Sequence, residues 1–217
     1  MKTRDRIIQV SLELFNREGE PNVTTVDISN ELDISPGNLY YHFKGKEELV
    51  GELFAQFYEQ FNVILREPVH NPLRIEDYWY YLVVVFEHIY DYRFLYRNIS
   101  LISQRYTQIQ RPFRRLIHMK LEAARAICQQ LRDSGIIAAD DARIELIARS
   151  VALTITYWLN FDKLLGDRAE HDEHLIHDGV MQVLSLIAPY LGELQQQFMD
   201  AALTIYSAGT PNPQRES

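Results

Sequence analysis

"SPGNLYYHF", residues 35–43, decides how the whole chain is read. Ser35 is a helix-capping residue type, and Pro36 suits the first helical position, where its missing N–H has no partner to lose. Leu39 and Phe43 stand four residues apart and share a face, which predicts a short helix pinned inward by those two side chains. Gly37, Asn38 and Tyr41 then share the outward face. Each of those residue types has a use against nucleic acid. Glycine lets a backbone N–H come close to a phosphate or base, asparagine can pair bidentately with an adenine edge, and a tyrosine ring can lie on a thymine methyl. Tyr40 and His42 flank that face within reach of phosphates, as does Lys46 at the start of the next helix. From Ile34 to Lys46 there is no acidic side chain, while Lys44 and Lys46 are basic.

Outward from this stretch the chain reads as helix throughout. Upstream, Ile8, Leu12 and Phe15 recur at helical spacing and Gly19 closes the segment. Either Thr24 or Thr25 can cap a second short helix, "VDISNEL", with Asp27 in its first turn. Asp33-Ile34 makes a turn, so two short helices follow a supporting one. That is the helix-turn-helix arrangement, in which the second short helix enters the major groove. Downstream, "KEELVGELFAQFYEQFNVIL" lines up Leu49, Leu53, Phe57, Phe61 and Ile64 on one face. "REPVHNP", residues 66–72, reads as a boundary because Pro68 and Pro72 break helix. Residues 75–102 read as one helical window, followed by helices over about 112–133, 140–165 and 173–206. The expectation is an all-α chain. It has a three-helix head over 1–48, a connecting helix over 49–66, a larger helical body over 67–206 and a disordered tail over 207–217.

Composition narrows the function classes. Of 217 residues 47% are hydrophobic, enough for a packed core, and the formal net charge of −8 argues against coating nucleic acid through bulk charge. Residues 1–50 are themselves net acidic. With few phosphate contacts per head, DNA binding is expected to need two heads and to weaken steeply with salt. No run of eighteen apolar residues is present, and the amino terminus has no apolar signal region. A single cysteine, Cys128, fits a reducing cytoplasm.

Over residues 4–54 the sequence resembles the TetR family of bacterial transcriptional regulators. The resemblance rests on "LELFNREG" closing the first helix, the Thr-Thr pair before the second, and "ISPGNLYYHFKGKEELV". This last stretch is similar to the family signature of Leu-Tyr-x-His-Phe followed by Lys-x-x-Leu. The resemblance implies base contacts from Pro36, Gly37, Asn38 and Tyr41, and phosphate contacts from Thr25, Tyr40, His42 and Lys46. Asp33 stands where the family often has glycine, and Asp tolerates the left-handed conformation. Val26 and Ser29 stand where some members carry arginine and alanine. The resemblance further implies a homodimer on a palindromic double-stranded operator, with half-sites roughly 34–36 Å apart or a multiple of that. It also implies repression as the default, and release by a small molecule bound in a body that both binds ligand and dimerises.

In the body, Tyr78, Trp79, Tyr81, Phe86, Tyr90 and Phe94 concentrate aromatic surface and hydroxyls in one stretch, the composition of a small-molecule pocket or simply of packed helices. Tyr157 and Trp158 are further pocket candidates. Ile144, Ile147, Val151 and Ile155, with Val180, Leu184, Ile187 and Leu191, form apolar stripes on the last two long helices. These are read as the dimer face, the alternative being packing within one chain. Residues 93–132 are basic, with Glu122 the sole acid, and suit DNA, an acidic ligand group, an acidic partner or a solvated face pairing with the acidic 162–178 region. "EHDEHLIHD" spaces Glu170, His174 and Asp178 four apart, as a transition-metal site can. It also lies where a loop enters a helix and carboxylates favour the dipole, so no metal is assigned. No cofactor is implied, and no nucleophile elbow, phosphate-cradling glycine loop or carboxylate pair supports an enzyme. The rival readings are a scaffold acting through protein–protein contact and a helical small-molecule carrier.

Overall fold

The computed structural model describes residues 2–74, 77–166, 174–196, 200 and 202–204. These residues form ten α-helices, and no strand occurs among them. Helix α1 (Thr3–Glu18) ends at Gly19, whose φ of 86° is the left-handed backbone that glycine adopts without cost, and whose N–H reaches the Phe15 carbonyl at 3.0 Å. Helix α2 (Thr25–Glu31) opens on a capping box: Asp27 N–H donates to Thr24 Oγ1 at 3.2 Å, and Thr24 N–H donates to Asp27 Oδ2 at 2.8 Å. Of the two threonines, Thr24 is therefore the cap. Asp33 takes φ 53°, supplying the turn where a glycine is the commoner solution. Helix α3 (Pro36–His42) is capped by Ser35, whose Oγ accepts Asn38 N–H at 3.2 Å.

Pro72 follows the end of the fourth helix as expected, but Pro68 and Pro112 lie inside helices. Helix α4 (Lys46–His70) runs through Pro68, and α8 (Thr107–Asp133) begins five residues before Pro112. Each proline sits near a helix end, where it removes one ladder bond only. Pro68 is moreover buried, and its carbonyl accepts Gln130 Nε2 at 2.6 Å. Conversely, the 75–102 window is not one helix. It breaks at Tyr92 and Asn98 into α5 (Asp77–Asp91), α6 (Arg93–Arg97) and α7 (Ile99–Arg105). Helix α9 (Asp141–Leu165) starts at its Asp140 cap, and α10 (His174–Ile187) stops well short of 206. Pro189 enters a 3₁₀ turn there, followed by Gly192 at φ 58°. Residues 207–217, expected as a disordered tail, lie outside the described residues.

Two compact units result. One is built from Met1–Asn62 and His88–Leu116, the other from Val63–Glu87 and the chain from Ile117 onward. In the first, Leu39 of α3 and Phe43, which caps its end, are buried together with Leu49, Leu53, Phe57 and Phe61 of α4. The Phe57 ring stacks on His88 at 5.0 Å, and His88 Nε2 lies 3.0 Å from the Phe57 carbonyl. Burial pulls the His88 pKa down, so the stacked ring is the neutral imidazole. In the second unit α9 lies against α10. Gly179 makes that approach possible, because a Cβ there would stand 2.7 Å from the Phe86 ring and 2.9 Å from Trp158 Cδ1.

Candidate nucleic-acid interface and ligand cavity

The first unit presents α3 to solvent. Leu39 and Phe43 anchor it from below, while Pro36, Gly37 and Asn38 are exposed, and Tyr41 and Tyr40 are 77% and 59% exposed. Two large aromatic side chains thus stand in water at neighbouring positions. A Cβ on Gly37 would meet nothing nearer than Ser35 Oγ at 3.9 Å, so the protein's own packing does not require glycine there. His42 is half-buried with its ring edge-on to Tyr41 at 5.2 Å. Thr25 is half-buried at the start of α2, its carbonyl accepting Ser29 Oγ at 2.6 Å.

Lys46 is placed differently from the phosphate-contacting position expected of it. Its ammonium donates to the carbonyls of Glu20 at 2.7 Å and Val23 at 2.8 Å, and pairs with Glu20 Oε1 at 2.8 Å. Three donors are all an ammonium has, and the side chain is only 16% exposed, so Lys46 is spent on the protein. A cation that does stand exposed beside α3 is Lys44, which follows Phe43 directly in the acid-free stretch, its Nζ 4.9 Å from the Tyr40 ring centre and 3.2 Å from the Tyr40 carbonyl.

The second unit contains a small cavity of about 70 Å³. Tyr78, Tyr81 and Leu82 of α5 line it with Ala124, Ile127, Cys128 and Leu131 of α8, Val151 of α9 and Val183, Leu184 and Ile187 of α10. No charged side chain reaches it. The Tyr81 hydroxyl is buried without a hydrogen-bond partner, and burial pushes its pKa up, keeping it a neutral donor. Burial likewise pushes the Cys128 thiol up to about 11, so the thiol stays protonated and weakly nucleophilic.

Of the eight aromatic pocket candidates, only Tyr78 and Tyr81 line this cavity. Trp79 packs beside His177 at 6.1 Å, and Phe86 and Trp158 are consumed in packing on Gly179. Trp158 Nε1 also donates to the Leu175 carbonyl at 2.8 Å. Tyr157 is exposed. Tyr90 lies in the first unit under the Arg93 guanidinium at 4.6 Å, and Phe94 packs there on Phe15 at 5.4 Å. Helical periodicity groups aromatics by face. Which face meets a cavity depends on neighbours distant in sequence.

The dimer candidates are displaced for the same reason. Ile144, Ile147, Val151, Ile155, Val180, Leu184, Ile187 and Leu191 are all buried within the single chain. What α9 leaves in solvent is a second apolar stripe, Leu146, Leu153, Tyr157, Phe161 and Leu164. Of the basic 93–132 segment, Arg125 pairs with Glu145 and Arg132 with Asp141, both at the start of α9. Glu170 and His171 fall outside the described residues, and no group of metal-ligating side chains occurs among the described ones. No helix among them is long and apolar enough to cross a membrane.

Comparison with known proteins bears on both regions. The family model "Bacterial regulatory proteins, tetR family" matches residues 7–53, and a second, "Bacterial transcriptional repressor", matches residues 56–198. A TetR-family transcriptional regulator from Marinobacter aquaeolei VT8 has a solved structure 34% identical, covering 97% of this chain and 100% of that one, with a TM-score of 0.83. The probable HTH-type transcriptional regulator YttP of Bacillus subtilis is 29% identical over 48% of this chain and 53% of its own. The chain thus spans about half the length of that curated relative. The structure of a SmeT–triclosan complex is 19% identical, with a TM-score of 0.63 over 89% of this chain and 93% of that one, a likeness of fold alone. With both models together spanning most of the sequence, the chain belongs to the TetR family of bacterial transcriptional regulators.

Proposed function

We propose that this protein is a ligand-responsive repressor that binds a palindromic operator as a homodimer and leaves it when a small molecule occupies the body. The observation that carries the reading is α3 itself: inward Leu39 and Phe43, outward Pro36, Gly37, Asn38 and Tyr41. In this reading the residues of that face touch bases, and Tyr40, His42, Thr25 and Lys44 reach phosphates. Lys46 acts from beneath, holding the start of α4. Two heads are needed because one offers few cations, and the exposed α9 stripe from Leu146 to Leu164 is the face by which two copies would meet.

The effector class follows from the cavity walls. With no charged side chain there, a charged ligand would lose its hydration without compensation, so the ligand is neutral and apolar, with one acceptor for the Tyr81 hydroxyl. The ligand acts only so far as it binds the released form better than the bound one. No cofactor is needed.

Selection of bound duplexes from a random pool at low salt, repeated with neutral and charged aromatic compounds, tests the reading. The expected product is a pair of inverted half-sites, lost in the presence of neutral compounds. A dimer that enriches no sequence would overturn it.

A further inference from the structure

Residues 16–20, at the end of α1, carry two buried polar side chains that the DNA-reading face does not use. The Asn16 side chain faces the break between α5 and α6. Its Nδ2 donates to the Asp91 carbonyl at 2.7 Å, and its Oδ1 accepts Phe94 N–H at 3.0 Å. One amide thus caps the end of α5 and the start of α6 together, replacing the ladder bonds lost at Tyr92. The Asn16 carbonyl also accepts the Arg97 guanidinium at 3.1 Å. Four residues on, Glu20 is 1% exposed and holds the other corner, between α7 and α8. Its Oε1 accepts the Tyr106 hydroxyl, pairs with Lys46 Nζ at 2.8 Å and lies 3.5 Å from the Arg105 guanidinium. Its Oε2 is buried with no hydrogen-bond partner. All these residues belong to the first compact unit.

We propose that Asn16 and Glu20 are positioning residues, two buried latches through which the α5–α6 and α7–α8 corners set the orientation of the α2–α3 reading helices. A buried polar bond has no water to replace it, so breaking one costs more than at the surface. A corner that moves must therefore carry the end of α1 with it or leave groups unpaired. The two helices meeting these corners are also cavity walls: α5 carries both Tyr81 and Asp91, and α8 starts directly after Tyr106 and carries Cys128. Lys46 ties the start of α4 to the same carboxylate, so both helices flanking α3's support answer to Glu20. The lopsided carboxylate has a ready second geometry, because a rotation offers Oε2 to a displaced Tyr106. The inference rests on the operator-binding reading above for its functional consequence, and on hydrogen bonding alone for the latch itself.

The test uses the full-length protein, the near-isosteric variants Tyr106→Phe and Glu20→Gln, and the truncation Asn16→Ala. Affinity is measured for the selected operator, for the same operator with its half-sites moved by one base pair, and for a single half-site. Loosened latches are expected to reduce the preference for the original spacing by about tenfold, with single half-site binding little changed. An equal loss on all three duplexes, the mark of a merely destabilised head, would overturn the proposal, as would unchanged spacing preference. Amide hydrogen exchange provides the readout that needs no DNA. Tyr106→Phe should speed exchange over residues 16–34 while leaving α9 as it was, and unchanged exchange there would sink the latch even if operator binding stood. A natural chain that selects no DNA but shows the exchange change would instead refute the functional reading and keep the latch.

Discussion

Lys120 offers the sharpest single test of the body. It sits on α8, fully buried, and its ammonium donates to Thr156 Oγ1 at 3.0 Å. Burial pulls its pKa from the ordinary 10.5 down to about 7. Between those values the unfolded chain holds a proton that the folded chain lacks, so raising pH through this window stabilises the fold. Below about 7 both states are protonated and the burial cost is fully present. Replacement by methionine removes the titration while keeping a long unbranched stem. Thr156 Oγ1 loses the Lys120 donor but keeps its own bond, its hydroxyl donating to the Ala152 carbonyl at 2.6 Å. At pH 7.5 the shift corresponds to roughly 4 kcal/mol of advantage for Lys120→Met, falling below about 1 kcal/mol at pH 10. In a chain of this size that closing gap is a change of about 6–12 °C in the difference between the two melting temperatures. Thermal unfolding of both proteins at equal concentration, at pH 7.5 and pH 10, reads it directly. A difference independent of pH would refute the reasoning.

Four further outcomes follow from the packing. Gly179→Ala drives a Cβ into two rings that cannot simply swing aside, and should cost about 1–3 kcal/mol in urea unfolding. Leu153→Asp, on the exposed α9 stripe, should leave the circular dichroism spectrum unchanged while shifting sedimentation from dimer to monomer; a persistent dimer would place the interface elsewhere. Tyr41→Ala should weaken the selected operator by about 1–3 kcal/mol, concentrated at one base pair, with no loss of thermal stability because the ring touches no core. Cys128, with its thiol pushed up to about 11, should label slowly with maleimide at pH 8 in the native protein and at the ordinary rate once unfolded; rapid native labelling would contradict its burial.

Much of the head was legible in residues 24–49 because every determinant there is local. Caps, turn and the inward pair Leu39/Phe43 lie within a few residues of one another, so the sequence pattern and the geometry carry the same information. The family followed from the same stretch. Lys46 escaped that reading because its partners, Glu20 and Val23, lie more than twenty residues away and nothing local announces them. The break at Tyr92 is the same case. Neither proline nor glycine stands there, and the helix ends because Asn16, seventy-five residues before Asp91, supplies the bonds that a helix would otherwise have to make for itself.

For the last two helices, sequence alone established that they are amphipathic and apolar enough to pack. It could not say which stripe of α9 faces α10 and which faces water. Both stripes are hydrophobic at helical spacing, and the choice was made by Gly179, whose missing Cβ lets Phe86 and Trp158 draw α10 onto one side. Local pattern specifies what a helix can bury. Only the neighbours that reach it in three dimensions determine what it does bury, because burial is a property of pairs of surfaces and periodicity a property of one.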